Sequence, residues 1–557
     1  MILSQYIQIH IFKSLTLYRV ESKQGRIIAI CSLNVYLVVF FINIDNEFRF
    51  LRNHSKKVGM KMSLIKKTIA ACALCATLLS QVHAEDNRPN IVLIMADDVS
   101  PDMFSVYGQE GAVHTPNIDK LAQEGVAFKT TYATAKCGSS RVEIMTGRYA
   151  NTTGVYVNEI WFDDTRKNVY TDNIAFSKVL SDAGYATAIT GKWHAGVQMP
   201  HDDVLAFDEY ALWEGTKEIA ALPGSPKFTG LMEDHKTPSR YWHPGYVKNG
   251  KLMDTKPLDY SLDIEAEFIM EFMEKNVKAK KPFLAYWPTV APHGTRIGQP
   301  TNPLRGKPGI IGKMKGDAKG EDKERFKSLI AYMDLKVGEV MDKAEALGIM
   351  DNTVFIFLSD NGTAVTAKTR GVERGSHVVH VASGAGIEKR GLTDELSDLS
   401  DITPTLIDLA QAWDFVPTGH KFDGKSLVPF YTGKSDTHRD WIYGYAGTSQ
   451  VFRTKEHMLE VVNPIMGMPK GRFYYTGENR FGHGYVLADG NPEHDKARAK
   501  FDTFIAEVPS LTLDHPHWQT KSGKKVLKEL AKPKVIEKHL YNHDDYKRYD
   551  ETYIHKD

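Results

Sequence analysis

The sequence predicts an α/β protein: a large, mixed but mostly parallel sheet flanked by helices, with a smaller C-terminal α+β domain. Three observations lead there. From Pro89 onward, short apolar runs alternate with stretches at helical spacing, the pattern of strand–helix units that feed a parallel sheet. Acidic, basic and histidine residues gather just after the apolar runs, where open α/β sheets hold their ligands. Beyond about residue 435 the texture changes to short segments such as Trp441-Ile442-Tyr443-Gly444-Tyr445, Val451-Phe452-Arg453 and Phe473-Tyr474-Tyr475, which read as antiparallel strands.

The bulk composition is that of a globular protein. Of 557 residues, 42% are hydrophobic and 25% charged, enough for a large core and two domains. The 70 basic and 69 acidic residues leave a formal charge of +1, which argues against a nucleic-acid partner or a polybasic membrane surface.

The N-terminal part has a different character. From Met60 the chain reads as an export signal over residues 60–84. Lys61, Lys66 and Lys67 form the positive start, residues 69–79 the apolar stretch, and Val82-His83-Ala84 the small-residue cleavage site. Ile69-Ala70-Ala71-Cys72 lacks the preceding apolar run of a lipoprotein signal. The expectation is a periplasmic or secreted protein starting at Glu85. Residues 1–59 read as a gene-model extension ahead of a true start at Met60 or Met62. The competing reading is a membrane anchor at residues 27–44, an apolar run broken by Ser32, Asn34 and Asn43 and marginally long enough to span a bilayer.

The catalytic domain is expected over 85–435. Residues 91–95 form a buried strand running into Asp97-Asp98, and residues 117–125 a helix with Ile118, Leu121 and Ala122 on one face. Cys137 precedes Val142-Glu143-Ile144-Met145, a second helix start that Ser139 or Ser140 is placed to cap. Helix 174–183 leads to strand 185–189 and Gly191-Lys192-Trp193-His194. Helix 264–276 leads to strand 282–287 and Pro292-His293. The long helix 326–347 leads to strand 354–358 and Ser359-Asp360-Asn361-Gly362, and helix 402–412 closes the series. Residues 436–557 form the C-terminal subdomain and tail, with a helix over 497–506. Arg240-Tyr241-Trp242-His243-Pro244 offers aromatics for stacking on sugar rings, or for loop packing.

Cleavage after Ala84 would leave Cys137 as the one cysteine, since Cys31, Cys72 and Cys75 precede that point. A lone thiol in Cys137-Gly138-Ser139-Ser140-Arg141 is either an inert buried cysteine or a reactive site. Its surroundings favour the second. Asp97-Asp98 and Asp360-Asn361, at the ends of two strands, supply oxygen ligands for a hard divalent cation. A helix start at Cys137 suits an anion, and Arg141, at i+4, faces the same way. Lys192, His194 and His293 follow other strands. A metal, a nucleophile, cations and histidines together suit transfer of an anionic group from an oxygen.

These elements, in this order, resemble the formylglycine-dependent sulfatases of the alkaline phosphatase superfamily. The resemblance runs from about Pro89 to beyond Leu427. It includes His114-Thr115-Pro116-Asn117-Ile118-Asp119, Thr146-Gly147-Arg148-Tyr149, Lys368 with Glu373 five places on, and Asp423-Gly424-Lys425-Ser426-Leu427. It implies an alkaline-phosphatase-like fold. It also implies that a formylglycine-generating enzyme oxidises Cys137 to formylglycine (3-oxoalanine), whose hydrate is the nucleophile. One hydroxyl of the hydrate attacks; the other expels the sulfate afterwards.

By the same resemblance Asp97, Asp98, Asp360 and Asn361 hold one Ca²⁺, Mg²⁺ being the less favoured ion, which also touches residue 137. Arg141 steadies the formylglycine. Lys192, His293 and Lys368 bind sulfate oxygens, His293 or Lys368 protonates the leaving alcohol, and His194 is the base that releases sulfate. Two departures stand out. Ser139 occupies a position where the family usually has Pro or Ala, and Arg374-Gly375 follows Glu373 where Gly-Gly is common. The implied activity is hydrolysis of sulfate esters, of a carbohydrate given export. The alternatives are a phosphonate monoester or phosphodiester hydrolase, and a binding protein that keeps its thiol. N-terminal sequencing of the native protein is expected to return Glu85; a chain retaining residues 1–59 would support the anchor instead.

Overall fold

The computed structural model describes residues 27–33, 36–42, 86–155, 169–196, 198–213, 240–241, 244–256, 259–293, 319–363, 371–446, 448–482, 484–508 and 521–530. The chain divides into two compact units, one ending at Glu85 and the other beginning at Asp86. In the first, β1 (Ile27–Leu33) pairs antiparallel with β2 (Tyr36–Ile42). The apolar run at 27–44 is therefore a strand pair and not the spanning helix considered above. Its β-branched and aromatic residues favour extended backbone, and the polar Ser32 falls near the end of β1. No helix among the described residues is long and apolar enough to cross a membrane. The expected export signal at 60–84 lies outside the described residues.

The second unit opens with β3 (Asn90–Ala96), α1 (Pro116–Glu124), β4 (Val126–Tyr132) and α2 (Cys137–Thr146). Next come α3 (Phe176–Asp182), β5 (Ala186–Gly191), β6 (Glu209–Trp213), β7 (Tyr246–Lys248) and β8 (Lys251–Leu252). Then follow α4 (Ser261–Ala279), β9 (Phe283–Pro288), α5 (Lys319–Ala346) and β10 (Thr353–Ser359). β11 (His377–Val378), β12 (His380–Gly384), β13 (Gly391–Asp398) and α6 (Ile402–Leu409) complete this part. All these strands share one eleven-stranded sheet. β10, β3, β9, β5 and β6 are neighbours in parallel, and β13 lies parallel to β4. β11, β12, β7 and β8 pair antiparallel, which makes the sheet mixed.

Period-two alternation fills both faces. Val92, Ile94 and Ala96 of β3 join a core with α1, α4 and α5, through residues such as Leu121, Ile269 and Leu329. Ile91, Leu93 and Met95 join the opposite core with α2, α3 and α6, through Ile144, Val179 and Leu406. Each helix is placed by its spacing. In α4, Leu262, Glu265, Ala266, Ile269, Phe272, Met273 and Asn276 are buried on one face, and the helix ends at Lys280 with φ 52°.

A second sheet is a meander of β14 (Ile442–Ala446), β15 (Ser449–Arg453), β16 (His457–Val462), β17 (Arg472–Tyr475) and β18 (Val486–Leu487). Phe452, Leu459 and Phe473 meet Phe501 and Phe504 of α7 (Asp495–Glu507). Ile442, Val451, Met458 and Tyr474 pack instead with Tyr132 and Leu396 of β4 and β13, so this sheet is seated on the end of the large one. One further helix, α8 (Lys521–Leu530), is described beyond it.

A buried ion pair sits at that seam. Arg453 is ion-paired with Glu373, which also accepts the Tyr132 hydroxyl at 2.8 Å; Arg453 donates on to Tyr485 Oη at 2.7 Å and Asn479 O at 2.9 Å. Removing one partner strands a buried charge. Glu373→Ala is therefore expected to lose about 3–5 kcal/mol in urea denaturation, and Glu373→Leu combined with Arg453→Met to recover most of it.

Candidate active site

Strand register builds the site. β3 and β10 run parallel with Ala96 opposite Ser359, so Asp97-Asp98 and Asp360-Asn361 leave adjacent strands at one level. The Asp360 amide donates to Ala96 O at 3.0 Å, and the Asp98 amide to Asp360 Oδ1 at 3.0 Å. Asp98 holds φ 66°, an uncommon conformation for a residue with a side chain, and its carboxylate meets the Asn361 amide, Nδ2 to Oδ1, at 2.7 Å. On the other side of β3, the chain leaving β9 passes Ala291, whose carbonyl accepts the Asp97 amide at 2.8 Å. His293 follows, with Nε2 3.2 Å from Asp98 Oδ2.

β5 ends at Gly191 with φ 108°, where a Cβ would sit 2.2 Å from Pro288 O. Only glycine lets the chain pass β9 this closely. Lys192 follows and donates to Asp97 Oδ2 at 2.7 Å. His194 stands two residues on, partly exposed, with φ 46°.

Cys137 is the first residue of α2, 1% exposed and in no disulfide. Its Sγ lies 3.4 Å from Asp97 Oδ1 and 3.4 Å from Asp98 Oδ1. Ser139 and Ser140 fall inside the first turn and do not cap it; the N-cap position is Lys136. Ser140 instead turns its hydroxyl back to Lys136 O at 2.9 Å and to Thr134 O. Arg141, one turn on, donates Nη1 to Lys192 O at 2.8 Å and Nη2 to Asp360 Oδ2 at 3.1 Å.

Three buried carboxylates thus share one small volume with Arg141 and Lys192. Burial and the neighbouring Asp97 push the Asp360 carboxyl up, with Arg141 opposing. Burial carries the His293 imidazole down to about 3, against the pull of Asp98, so the ring is neutral. The donor atoms of Asp97, Asp98, Cys137 and His293 all lie within 4.8 Å of one another. Asn361 Oδ1 is buried and meets no donor among the described residues. A crowd of oxygen donors, with one amide oxygen unspent, suits a hard divalent cation.

The structure brings together Asp97, Asp98, Cys137, Arg141, Lys192, His293, Asp360 and Asn361. Lys368 lies outside the described residues. Two supports were not foreseen. Arg240 contacts the His293 ring at Nδ1, donates to its carbonyl at 3.2 Å, and lies over Trp213 at 4.6 Å. The Tyr241 hydroxyl donates to His293 O at 2.6 Å. Of the two readings for 240–244, these two residues take loop packing, against His293; Trp242 and His243 lie outside the described residues. Nothing in the local pattern signals a partner fifty residues away.

The sulfatase family profile matches residues 89–412, which spans the whole constellation. The chain belongs to the sulfatase family. Among curated relatives, this sulfatase is 28% identical over 338 residues to an uncharacterised sulfatase of Schizosaccharomyces pombe, covering 50% of this chain and 58% of that one. It is 26% identical over 448 residues to the N-acetylgalactosamine-6-sulfatase of Canis lupus familiaris, covering 73% and 78%. Among solved structures, Ps i-CgsB in complex with k-i-k-neocarrahexaose superposes with a TM-score of 0.58 at 21% identity, over 81% of this chain and 99% of that one; at that identity the likeness is one of fold. The large mixed sheet with its C-terminal antiparallel sheet is the architecture the sequence implied.

If the carboxylate crowd holds a cation, adding Ca²⁺ to metal-stripped protein raises the thermal midpoint. Saturation at a hundred times Kd is expected to stabilise by about 2.7 kcal/mol. Asp97→Asn or Asp98→Asn should shrink the shift in calorimetry; an unchanged shift would place the ion elsewhere.

Proposed function

We propose that this sulfatase hydrolyses sulfate esters of a carbohydrate, with formylglycine made from Cys137 as the nucleophile and one Ca²⁺ beside it. The observation that carries the reading is the meeting of Cys137 Sγ with Asp97 and Asp98, at 3.4 Å each, inside a cage of Arg141, Lys192 and His293. The carbohydrate part draws support from the likeness to the dog N-acetylgalactosamine-6-sulfatase and from the k-i-k-neocarrahexaose bound to Ps i-CgsB.

Asp97, Asp98, Asp360 and Asn361 would hold Ca²⁺, with residue 137 and His293 at its side. The ion would supply positive charge for a sulfate oxygen. The protein's own groups do the rest. Arg141 ties α2 to the ends of β5 and β10 through Lys192 O and Asp360, which holds residue 137 against the acidic pairs. Lys192, already directed at Asp97, presents its ammonium to sulfate. Neutral His293, oriented by Arg240 and Tyr241, would give its ring N–H to a sulfate oxygen, which leaves Lys368, the other candidate, to protonate the leaving alcohol. His194 is the base that removes the proton needed to release sulfate.

Export to the periplasm or beyond fits the signal-like residues 60–84, and a division near residue 435 fits the change from the large sheet to the meander. Maturation requires a formylglycine-generating enzyme. Since Cys137 is 1% exposed, that enzyme would meet the segment before α2 packs.

On protein whose conversion at residue 137 has been confirmed by peptide mass spectrometry, aryl sulfate and sulfated sugars are expected to turn over faster than phosphonate monoesters and phosphodiesters. A clear preference for the phosphorus esters would replace the reading by its runner-up. Cys137→Ala should lower kcat at least roughly 1,000-fold while leaving the thermal midpoint within a few degrees. An intact thiol on every native copy would end the formylglycine mechanism.

A further inference from the structure

The helix that presents Cys137 has no capping side chain at Lys136, yet the segment leading into it is held firmly. The hold comes from inside, from Glu143, two residues beyond Arg141. Its Oε2 accepts the Thr134 amide at 2.9 Å and the Thr134 hydroxyl at 2.6 Å. Thr134 O in turn accepts the Ser140 hydroxyl. The flanking amides are fixed from outside, Ala133 to Ser376 O at 2.9 Å and Ala135 to Tyr445 O at 2.8 Å. The loop before Cys137 is therefore anchored to its own helix by the Glu143 carboxyl, with the Ser140 hydroxyl beside it.

The other oxygen of that group has no ordinary partner. Glu143 is 1% exposed, and no donor or cation among the described residues reaches Oε1. The Glu143 carboxyl interacts with that of Asp398, at the end of β13 and itself fully buried. Asp398 spends its lone pairs on the Ser400 amide at 3.0 Å, the Ser400 hydroxyl at 2.6 Å and the Tyr443 amide of β14 at 3.1 Å. Arg439, the cation that acts on Asp398, is already engaged by Asp401, with Nε 2.9 Å from both of its oxygens, and His438 Nε2 also lies 2.9 Å from Asp401. Tyr149 and Asp423 complete the polar groups around this pocket of charge. Two buried carboxyls in contact, with the one cation that acts on Asp398 already paired to Asp401, favour one shared proton over two charges.

We propose that Glu143 and Asp398 share a single proton, and that this carboxyl pair is a positioning device that fixes Cys137 by locking the Thr134–Lys136 loop to α2 and to the C-terminal sheet. Burial raises both acids, in keeping with a protonated member. The inference rests on the catalytic reading of residue 137, but its protonation half does not.

Three variants test it, with kcat and KM expressed per formylglycine-bearing copy. Glu143→Gln keeps a neutral group that accepts from Thr134 and donates to Asp398, and should hold kcat within about twofold. Glu143→Ala frees the loop and should lower kcat roughly 10- to 100-fold with KM little changed, as expected for a misplaced reacting group. Thr134→Val, which deletes one bond and keeps the pair, should fall between them and serves if the alanine variant does not fold.

The thermal midpoint against pH reads the proton without any substrate. An acid held protonated by the fold contributes fully below its unfolded pKa and loses that contribution as pH rises through its folded pKa. From about pH 5 to 8 the wild type should lose stability relative to Glu143→Gln. Parallel midpoint curves, or a Gln variant as impaired as Ala, would overturn the shared proton. A folded Ala or Val variant with wild-type kcat would overturn the positioning. Wild-type protein inert on every sulfate ester would sink the sulfatase reading, while the midpoint curves still decide the pair.

Discussion

The parallel pairing of β3 with β10 is the constraint on which the site depends. With Ala96 beside Ser359, both strands run out at one level, and the next two residues of each bring carboxylate and amide oxygens together. Slipping that register by one residue would send Asp97 and Asp360 to opposite faces of the sheet. The flanks of the pair are equally committed: β9 delivers His293 and β5, next to it, delivers Lys192. Four strands, apolar on both faces, thus converge polar ends on a single point.

That convergence is costly, because three carboxylates are taken out of water together. The structure offsets the cost with cations brought from elsewhere in the chain. Arg141 reaches Asp360 from α2, and Lys192 reaches Asp97 from β5. The same contacts place α2, so the groups that balance the acidic cluster also hold residue 137. Behind them, the C-terminal sheet is more than an appendage. Tyr445 O fixes Ala135, Tyr443 fixes Asp398, and Arg453 closes on Glu373.

Much of the fold was legible because period and burial coincide in a parallel sheet. Strands at 91–95, 282–287 and 354–358 carry continuous apolar runs and were placed within a residue or two of their observed ends. One edge of the large sheet was not legible. β4, with the polar Lys129, Thr130 and Thr131, and β13, with Asp394 and Glu395, lack a clear run, since their partners and not their own composition make them strands. The run at 27–44 shows the converse: apolar length alone does not separate a helix from a strand pair.

The sequence by itself picked out most of the residues that gather at the site, because acidic pairs, lysine, histidine and cysteine were each tethered to the end of a strand or the start of a helix a few positions away. It also determined the family, through the order of those motifs. Only the tertiary structure decided how the residues engage: that His293 leans on Asp98 with Arg240 and Tyr241 behind it, that Arg141 bridges Lys192 and Asp360, and that Glu143 turns inward to Asp398. Those partners lie tens to hundreds of residues apart. A linear pattern reports spacing along one element, whereas strand order and register set the distances between elements, and the buried charge balance exists only once those distances are closed.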